Sequence, residues 1–450
     1  MISMLDRRER VLALRDYQAA GVAFLSESRN ALLADEMGLG KTVQVASAID
    51  SLRRNGELKR ALVIVPSALR LNWQRELKTW APHSLTVRVE GPPSQRHALY
   101  RVHVPVLIAT YGQIRSDAKF LSENIDFDLV VLDEAQNIKN GESKTAHSCF
   151  ILNRKRSWAL SGTPLENRRD DLFSVFRFVK LGLLHEGMDR NGVIQAMQPH
   201  FLRRYKEDVL PELPPAIEQE LVLEMEGAQL LRYEEILMDV AGNANISNLD
   251  YPFGNILALI TRLKQICNFD EESNESCKRD VLVPYVRDVI ASGKKTIIFS
   301  QYVKTLKWLG PQIEELGVRP LIFEGSLDDE KRNEMVDHFN NSPHPEVMLI
   351  SLKAGGVGLN LDAADYVVLY DRWWNPAVEA QAINRAHRFG RDRVLQVLKF
   401  IVSTSIEEKI NDILLQKQQL FEEYVEQAEG SEIGGFNRQV LLEILGVEVS

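Results

Sequence analysis

The chain has 450 residues, 45% apolar and 26% charged, with a net charge of −9, which is too much chain for one hydrophobic core and predicts two or three domains. No apolar run approaches the roughly 18 residues of a membrane span, the first residues (MISMLDRRER) lack a secretory leader's apolar stretch, and three scattered cysteines (Cys149, Cys267, Cys277) suit neither a disulfide framework nor a zinc site; a soluble intracellular protein is expected. Ten acidic and three basic side chains from Ser405 to Ser450 hold most of the net charge, so the near-neutral remainder permits a basic groove for nucleic acid without demanding one.

Leu14-Arg15-Asp16-Tyr17-Gln18 opens an amphipathic helix that runs through Phe24-Leu25. The apolar run Ala31–Ala34 then reads as a buried strand and meets a Gly38-Leu39-Gly40 turn. Lys41-Thr42 start a helix that Asn55-Gly56 stop. Strand, glycine turn, Lys-Thr and helix is the layout of a phosphate-binding loop. Its glycines let backbone N–H groups converge on anionic oxygens, the lysine reaches the terminal phosphates, and the threonine hydroxyl suits magnesium. The strict pattern wants glycine five residues before Gly40, where Asp35 stands.

Apolar strands follow at 61–67, 104–112, 128–134 and 157–164, separated by helical stretches such as Leu69–Trp80 and Lys144–Leu152. Continuous apolar strands alternating with helices predict a parallel sheet covered on both faces. Asp133-Glu134 end one of these strands, where α/β sheets bind ligands. There Asp133 suits magnesium, and Glu134 the activation of a water attacking a γ-phosphate. Ser161-Gly162-Thr163-Pro164, after the next strand, is by itself an ordinary turn.

Lys180 to about Lys278 breaks the rhythm with helical pattern and a Pro-rich piece (Pro211, Pro214, Pro215), read as a helical insertion and linker. Strands return at 295–301, 319–325, 346–352, 366–371 and 394–402, without a second phosphate loop. The glycine-rich loop SLKAGGVGLNL (351–361) offers Lys353 and Asn360 as phosphate or sugar contacts. Paired tryptophans, Trp373-Trp374, follow a strand end. In QAINRAHR, a helix would put Gln381, Arg385 and Arg388 on one face, two arginines able to stabilise charge on a phosphoryl group. His387 by itself reads as structural. Ser405 starts a last helix with Ile406, Ile410, Ile413 and Leu414 near one face.

Taken in order, LRDYQAAGVAFL, DEMGLGKT, LVIVPSALRLNW, IATYGQI, LDEAQNIKN, LSGTPLEN, IIFSQY, SLKAGGVGLNL and DRWWNPAVEAQAINRAHR resemble the motif set of the Swi/Snf-type ATPase motor, within the superfamily-two helicases and translocases. The resemblance runs from about Leu14 to about Leu420, includes FLRRYKEDVLPELPP and ITRLKQICN, and makes DEMGLGKT that family's own version of the loop. It implies an α/β fold of two RecA-like parallel-sheet lobes: lobe one over 1–180, an insertion and linker over 181–280, lobe two over 281–404, and a brace helix with an acidic end over 405–450. It implies ATP and Mg2+ between the lobes. Gln18 would read the adenine, Gly38, Gly40, Lys41 and Thr42 hold the phosphates, and Asp133 with Thr42 the metal. Glu134 would act on water, Asn360 lie near the ribose and Gln381 near the nucleotide, with Arg385 and Arg388 as arginine fingers. Ser67, Asn72, Thr110, Lys353 and Trp374 fall in segments that touch a DNA strand in such motors. Gln136 stands where many members carry histidine, Asn384 replaces a common aspartate, and Phe389-Gly390-Arg391 a common Ile-Gly-Gln.

The expected function is an ATP-dependent translocase on double-stranded DNA that does not separate strands, a minimal prokaryotic-type member working as a monomer in the cytoplasm, or in a nucleus if the source is eukaryotic. The acidic C-terminal segment is a candidate surface for a protein partner. An ATP-switched binding module and an RNA-dependent ATPase remain the alternatives.

Overall fold

A computed structural model of the chain describes residues 13–162, 169–242, 252–352, 359–373, 376–388 and 391–413. The chain divides into two units, Met1–Pro211 and Glu212–Ser450.

The first unit holds strands β1 (Asn30–Leu33), β2 (Ala61–Val65), β3 (Thr86–Arg88), β4 (Val106–Thr110), β5 (Phe127–Leu132), β6 (Arg154–Leu160) and β7 (Phe201–Leu202). They form one parallel sheet in the order β3-β4-β2-β5-β6-β1-β7. All five residues of β2 are buried, as a strand in the middle of a sheet with both faces covered requires. Helix α1 (Asp16–Glu27) precedes β1, and helix α2 (Lys41–Arg54) follows it. The segment expected as an insertion returns to this sheet: Leu32 and Leu33 of β1 pair with Phe201 and Leu202 of β7.

The second unit holds β8 (Ala216–Leu223), β9 (Thr296–Ser300), β10 (Leu321–Phe323), β11 (Val347–Ser351), β12 (Tyr366–Leu369) and β13 (Leu395–Val402). Its sheet is also parallel, in the order β10-β11-β9-β12-β13-β8. Successive side chains alternate between two cores. Ile297, Phe299, Met348, Ile350, Val367 and Leu369 enter one, and Ile298, Val347, Leu349 and Val368 the other. Each fully buried aliphatic or aromatic side chain of this kind contributes about 1.5–3 kcal/mol of transfer free energy. Ile406 and Ile410, in the helix over 406–413, pack with Tyr233, Ile256 and Ile260 of helices Gly227–Gly242 and Phe253–Asn268. The remainder of the expected brace helix lies outside the described residues.

The stretch expected as one insertion over 181–280 is thus shared. Residues up to Pro211 belong with the first sheet, and β8 closes the edge of the second. β8 escaped the sequence pattern because it is a mostly exposed edge strand, AIEQELVL. Its polar residues serve register, as in the Lys399–Glu218 ion pair at 2.6 Å. Cys149 and Cys267 are buried, and burial pushes the Cys149 thiol up to about 12, consistent with plain core thiols. Among the described residues no helix is long and apolar enough to cross a membrane.

Candidate nucleotide-binding site

The loop between β1 and α2 has the backbone its glycines predict. Gly38 and Gly40 take φ of 93° and 75°, left-handed values that favour glycine. Gly40 is the N-cap of α2, so Lys41 and Thr42 begin the helix with the first N–H groups unpaired within it. Lys41 Nζ donates to the carbonyls of Asp35 (2.6 Å) and Glu36 (3.3 Å). Burial pulls its ammonium below the ordinary lysine range, against the opposing charges of Glu134, Asp35, Asp133 and Glu36. Gln18, on α1, is buried under the loop: its Oε1 accepts from the Arg15 N–H (3.1 Å) and its Nε2 donates to the Leu39 carbonyl (3.4 Å).

Asp35 is fully buried. Its carboxylate accepts from Arg204 Nε at 2.9 Å and Nη2 at 2.5 Å, and from Gln44 Nε2 at 3.0 Å. Arg204 Nη2 also donates to Gln44 Oε1 at 2.7 Å, and Nη1 donates to the Tyr17 carbonyl. The backbone continues the clamp: Glu36 N–H donates to the Arg204 carbonyl, and the Lys206 N–H to Glu36 Oε2. An aspartate replaces the generic glycine because this loop is fixed by a buried ion pair to the segment after β7. Arg204 and Gln44 carried no signal in the linear pattern.

Asp133 and Glu134 follow β5, two strands along the sheet from β1. Asp133 Oδ2 accepts from the Trp73 indole N–H at 2.7 Å, and Oδ1 from the Glu134 N–H at 2.9 Å. Burial, then the neighbouring Glu134 charge, hold the Asp133 carboxyl up at about 7, against the Trp73 hydrogen bond and Lys41. Glu134 sits at φ 51°, ψ 58°, a left-handed conformation that is costly for a non-glycine residue and often found at functional sites. Gln136 Nε2 donates to Glu134 Oε2 at 2.7 Å, and Gln136 Oε1 accepts from Ser161 Oγ at 3.2 Å. Glutamine at 136 therefore bridges the carboxylate and the end of β6. Next to Ser161, a Cβ added at Gly162 would lie 2.5 Å from Met37 Cγ and 3.4 Å from Lys41 Nζ, which places this turn directly against the loop. Thr163 lies outside the described residues.

One hydroxyl (Thr42) and one carboxylate (Asp133) suit a hard cation that keeps most of its oxygen ligands from water and phosphate. No group of three or more His, Cys, Asp or Glu residues positioned for a metal occurs among the described residues. Ser67 and Asn72 follow β2, and Thr110 ends β4; Ser67 is exposed, and Asn72 and Thr110 are half-buried.

In the second unit Arg388 Nη1 donates to Asn360 Oδ1 at 3.4 Å, bringing two predicted residues together. The helix meant to align Gln381, Arg385 and Arg388 is shorter than expected. It spans Pro376–Ile383, and the chain then turns, with Arg385 N–H to the Ala382 carbonyl and His387 N–H to the Ile383 carbonyl. Gln381 lies on the helix, and Arg385 and Arg388 follow it on a turn whose three- and four-residue bonds carry the helical winding as far as His387. Arg372 Nε and the Trp373 N–H both donate to Glu379 Oε1, at 3.0 and 2.7 Å, tying the end of β12 to this helix. His387 Nε2 bonds the Pro214 carbonyl at 2.8 Å, the structural role expected of it. Arg391, where glutamine is common, is buried and donates to the carbonyls of Asp362, Ala364 and Arg393. Lys353 and Trp374 lie outside the described residues.

A glycine loop capping a helix at one strand end, with paired carboxylates at another strand end of the same parallel sheet, defines a P-loop-type nucleotide-binding protein. Residues 17–272 match the SNF2-related domain family, residues 278–390 match the helicase conserved C-terminal domain, and the chain belongs to the SNF2-related family. It is 36% identical to an uncharacterized ATP-dependent helicase of Mycoplasma pneumoniae, over 92% of this chain and 42% of that protein. It is 30% identical to the nuclear protein STH1/NPS1 of Saccharomyces cerevisiae, over 92% of this chain and 35% of that protein. The chain thus spans less than half the length of these relatives. A solved Sulfolobus solfataricus SWI2/SNF2 ATPase core in complex with dsDNA is 28% identical over 97% of this chain and 98% of that one, with a TM-score of 0.45.

Proposed function

We propose that this chain hydrolyses ATP with magnesium and uses the cycle to move along double-stranded DNA without separating its strands. The observation that carries the reading is the convergence of Gly38, Gly40, Lys41 and Thr42 with Asp133 and Glu134 in one sheet of a SNF2-related chain. In this reading Lys41 leaves the Asp35 and Glu36 carbonyls for the terminal phosphates, and Gln18 faces the base. Thr42 and Asp133 hold magnesium, which when bound neutralises charge on the phosphate oxygens. Glu134, with Gln136 fixing one carboxylate oxygen, orients the attacking water. Arg388 and Arg385 add positive charge to the transferring phosphoryl group when the second unit closes on the first, a charge useful chiefly in the transition state.

DNA contact is proposed at Ser67, Asn72 and Thr110, with Lys353 and Trp374 from the second unit, and the motor is proposed to work as a monomer. A protein partner for the acidic C-terminal segment (405–450) belongs to the same proposal. ATP hydrolysis measured without nucleic acid, with duplex DNA and with RNA tests the reading, together with displacement of a third strand from a triplex. Stimulation by duplex with triplex displacement is expected. Stimulation by RNA alone would make the chain an RNA-dependent motor, and hydrolysis without displacement would make it a switch.

A further inference from the structure

The strands β4, β2 and β5 are neighbours in that order, and all run parallel. Their C-terminal ends therefore stand side by side: Thr110 on β4, Ser67 and Asn72 just past β2, Asp133 just past β5. The residue after Asn72 is Trp73, which is fully buried and gives its indole N–H to the Asp133 carboxylate at 2.7 Å. Indole has a single donor and no acceptor, so its whole polar capacity is committed to this carboxylate, in a short bond to a group that is charged when it holds a metal. The residue after Thr110 is Tyr111, also buried, whose hydroxyl donates to the Asp133 backbone carbonyl at 2.7 Å. Both donors sit at the first turn of a helix, Arg70–Trp80 and Tyr111–Asn124. The second of these is fixed by a Thr110–Gln113 capping box, in which the Gln113 N–H donates to Thr110 Oγ1 and the Thr110 N–H to Gln113 Oε1. Asp133 is thus held at its side chain from one proposed DNA-facing segment and at its backbone from another. It immediately precedes Glu134, whose backbone is strained.

We infer that Trp73 and Tyr111 are positioning residues that transmit contact at the ends of β2 and β4 to Asp133 and Glu134, so that binding of a duplex backbone sets the carboxylate geometry. This rests on the proposed function, because it assumes that duplex DNA meets Ser67, Asn72 and Thr110. A buried indole N–H or phenol hydroxyl needs a partner in any core, so a core role and a transmitting role differ in whether these bonds to Asp133 carry coupling to the duplex. Tyr111→Phe removes a donor and keeps its ring, so it separates the two directly, whereas Trp73→Phe removes its donor together with part of the ring and is read against its melting control.

The variants are Trp73→Phe and Tyr111→Phe in the full chain, with thermal melting as the folding control. Two quantities are read in each: the ratio of hydrolysis with and without duplex, and the affinity for a fluorescent non-hydrolysable ATP analogue with magnesium, with and without duplex. Site-to-site coupling is reciprocal in binding free energy, so the second quantity reports transmission without reference to turnover. In each variant the stimulation ratio is expected to fall by about fivefold or more, and the duplex-dependent shift in analogue affinity to shrink as well. Duplex affinity without nucleotide should stay within about twofold, because neither side chain is exposed. Wild-type coupling retained in folded Trp73→Phe and Tyr111→Phe overturns the inference. Should Trp73→Phe not fold, Tyr111→Phe, which loses one oxygen, decides alone. A wild-type chain that no duplex stimulates refutes the proposed function itself, and the inference with it, an outcome visible before any variant is made.

Discussion

Replacing Arg204 by Met should loosen the phosphate loop from a distance of 160 residues or more in sequence. The substitution leaves Asp35, which is fully buried, with Gln44 as its one remaining side-chain donor among the bonds described above. Breaking a buried ion pair by removing one partner costs about 3–5 kcal/mol, because the other charge stays desolvated. That is a large share of the roughly 5–15 kcal/mol that holds a domain folded. The cost should fall on α1, the loop and the start of α2, since Arg204 also bonds the Tyr17 carbonyl and Gln44. Hydrogen exchange of the α2 amides in the full chain reads it, with protection expected to drop by about two to three and a half orders of magnitude. Asp35→Asn combined with Arg204→Met removes both charges and should recover part of the loss, with a coupling of up to about 3 kcal/mol. Protection falling less than about tenfold in the single variant, or a double variant no better than the single, would refute the claim that this ion pair anchors the loop.

Three further outcomes are expected. Gly21→Ala gains about 1 kcal/mol of helix propensity, yet its Cβ would lie 1.8 Å from Gln44 Oε1 and 2.8 Å from Arg204 Nη2; because Gln44 is held in the Asp35–Arg204 cluster, net destabilisation by denaturant titration is expected, and a stabilised variant would count against the cluster's rigidity. Asp133 titrates near 7 in the folded chain against an ordinary 3.8, so the folded state binds the extra proton between these values. This group's contribution to stability is present at low pH and lost as pH rises through that window. Asp133→Asn should therefore gain stability relative to the parent on going from pH 4 to 8, and a pH-independent difference would contradict the shift. Arg388→Ala should lower turnover by about a thousandfold while analogue affinity changes only a few-fold; an equal loss in both would make Arg388 a binding residue.

The sequence by itself determined the parts whose signals are local. Apolar runs such as Ala61–Val65 and Val347–Ser351 specified buried parallel strands. Gly38 and Gly40 specified a turn that needs positive φ, and Asp133-Glu134 a polar strand end, because periodicity and turn chemistry are written in neighbouring residues. Tertiary structure decided what those parts are fastened to. Asp35 departs from the generic loop in sequence and is explained only by Arg204, 169 residues away, which β7 brings beside β1. Trp73 and Tyr111 look like ordinary core aromatics until the order β4-β2-β5 sets them against Asp133. The arginine turn adds a contact that spacing does not show: the regular helix ends at Ile383, and Arg388 meets Asn360, 28 residues earlier. Side-chain period reports which face of an element is buried. Which element that face meets depends on sheet order, and sheet order is settled by long-range pairing that no short window contains.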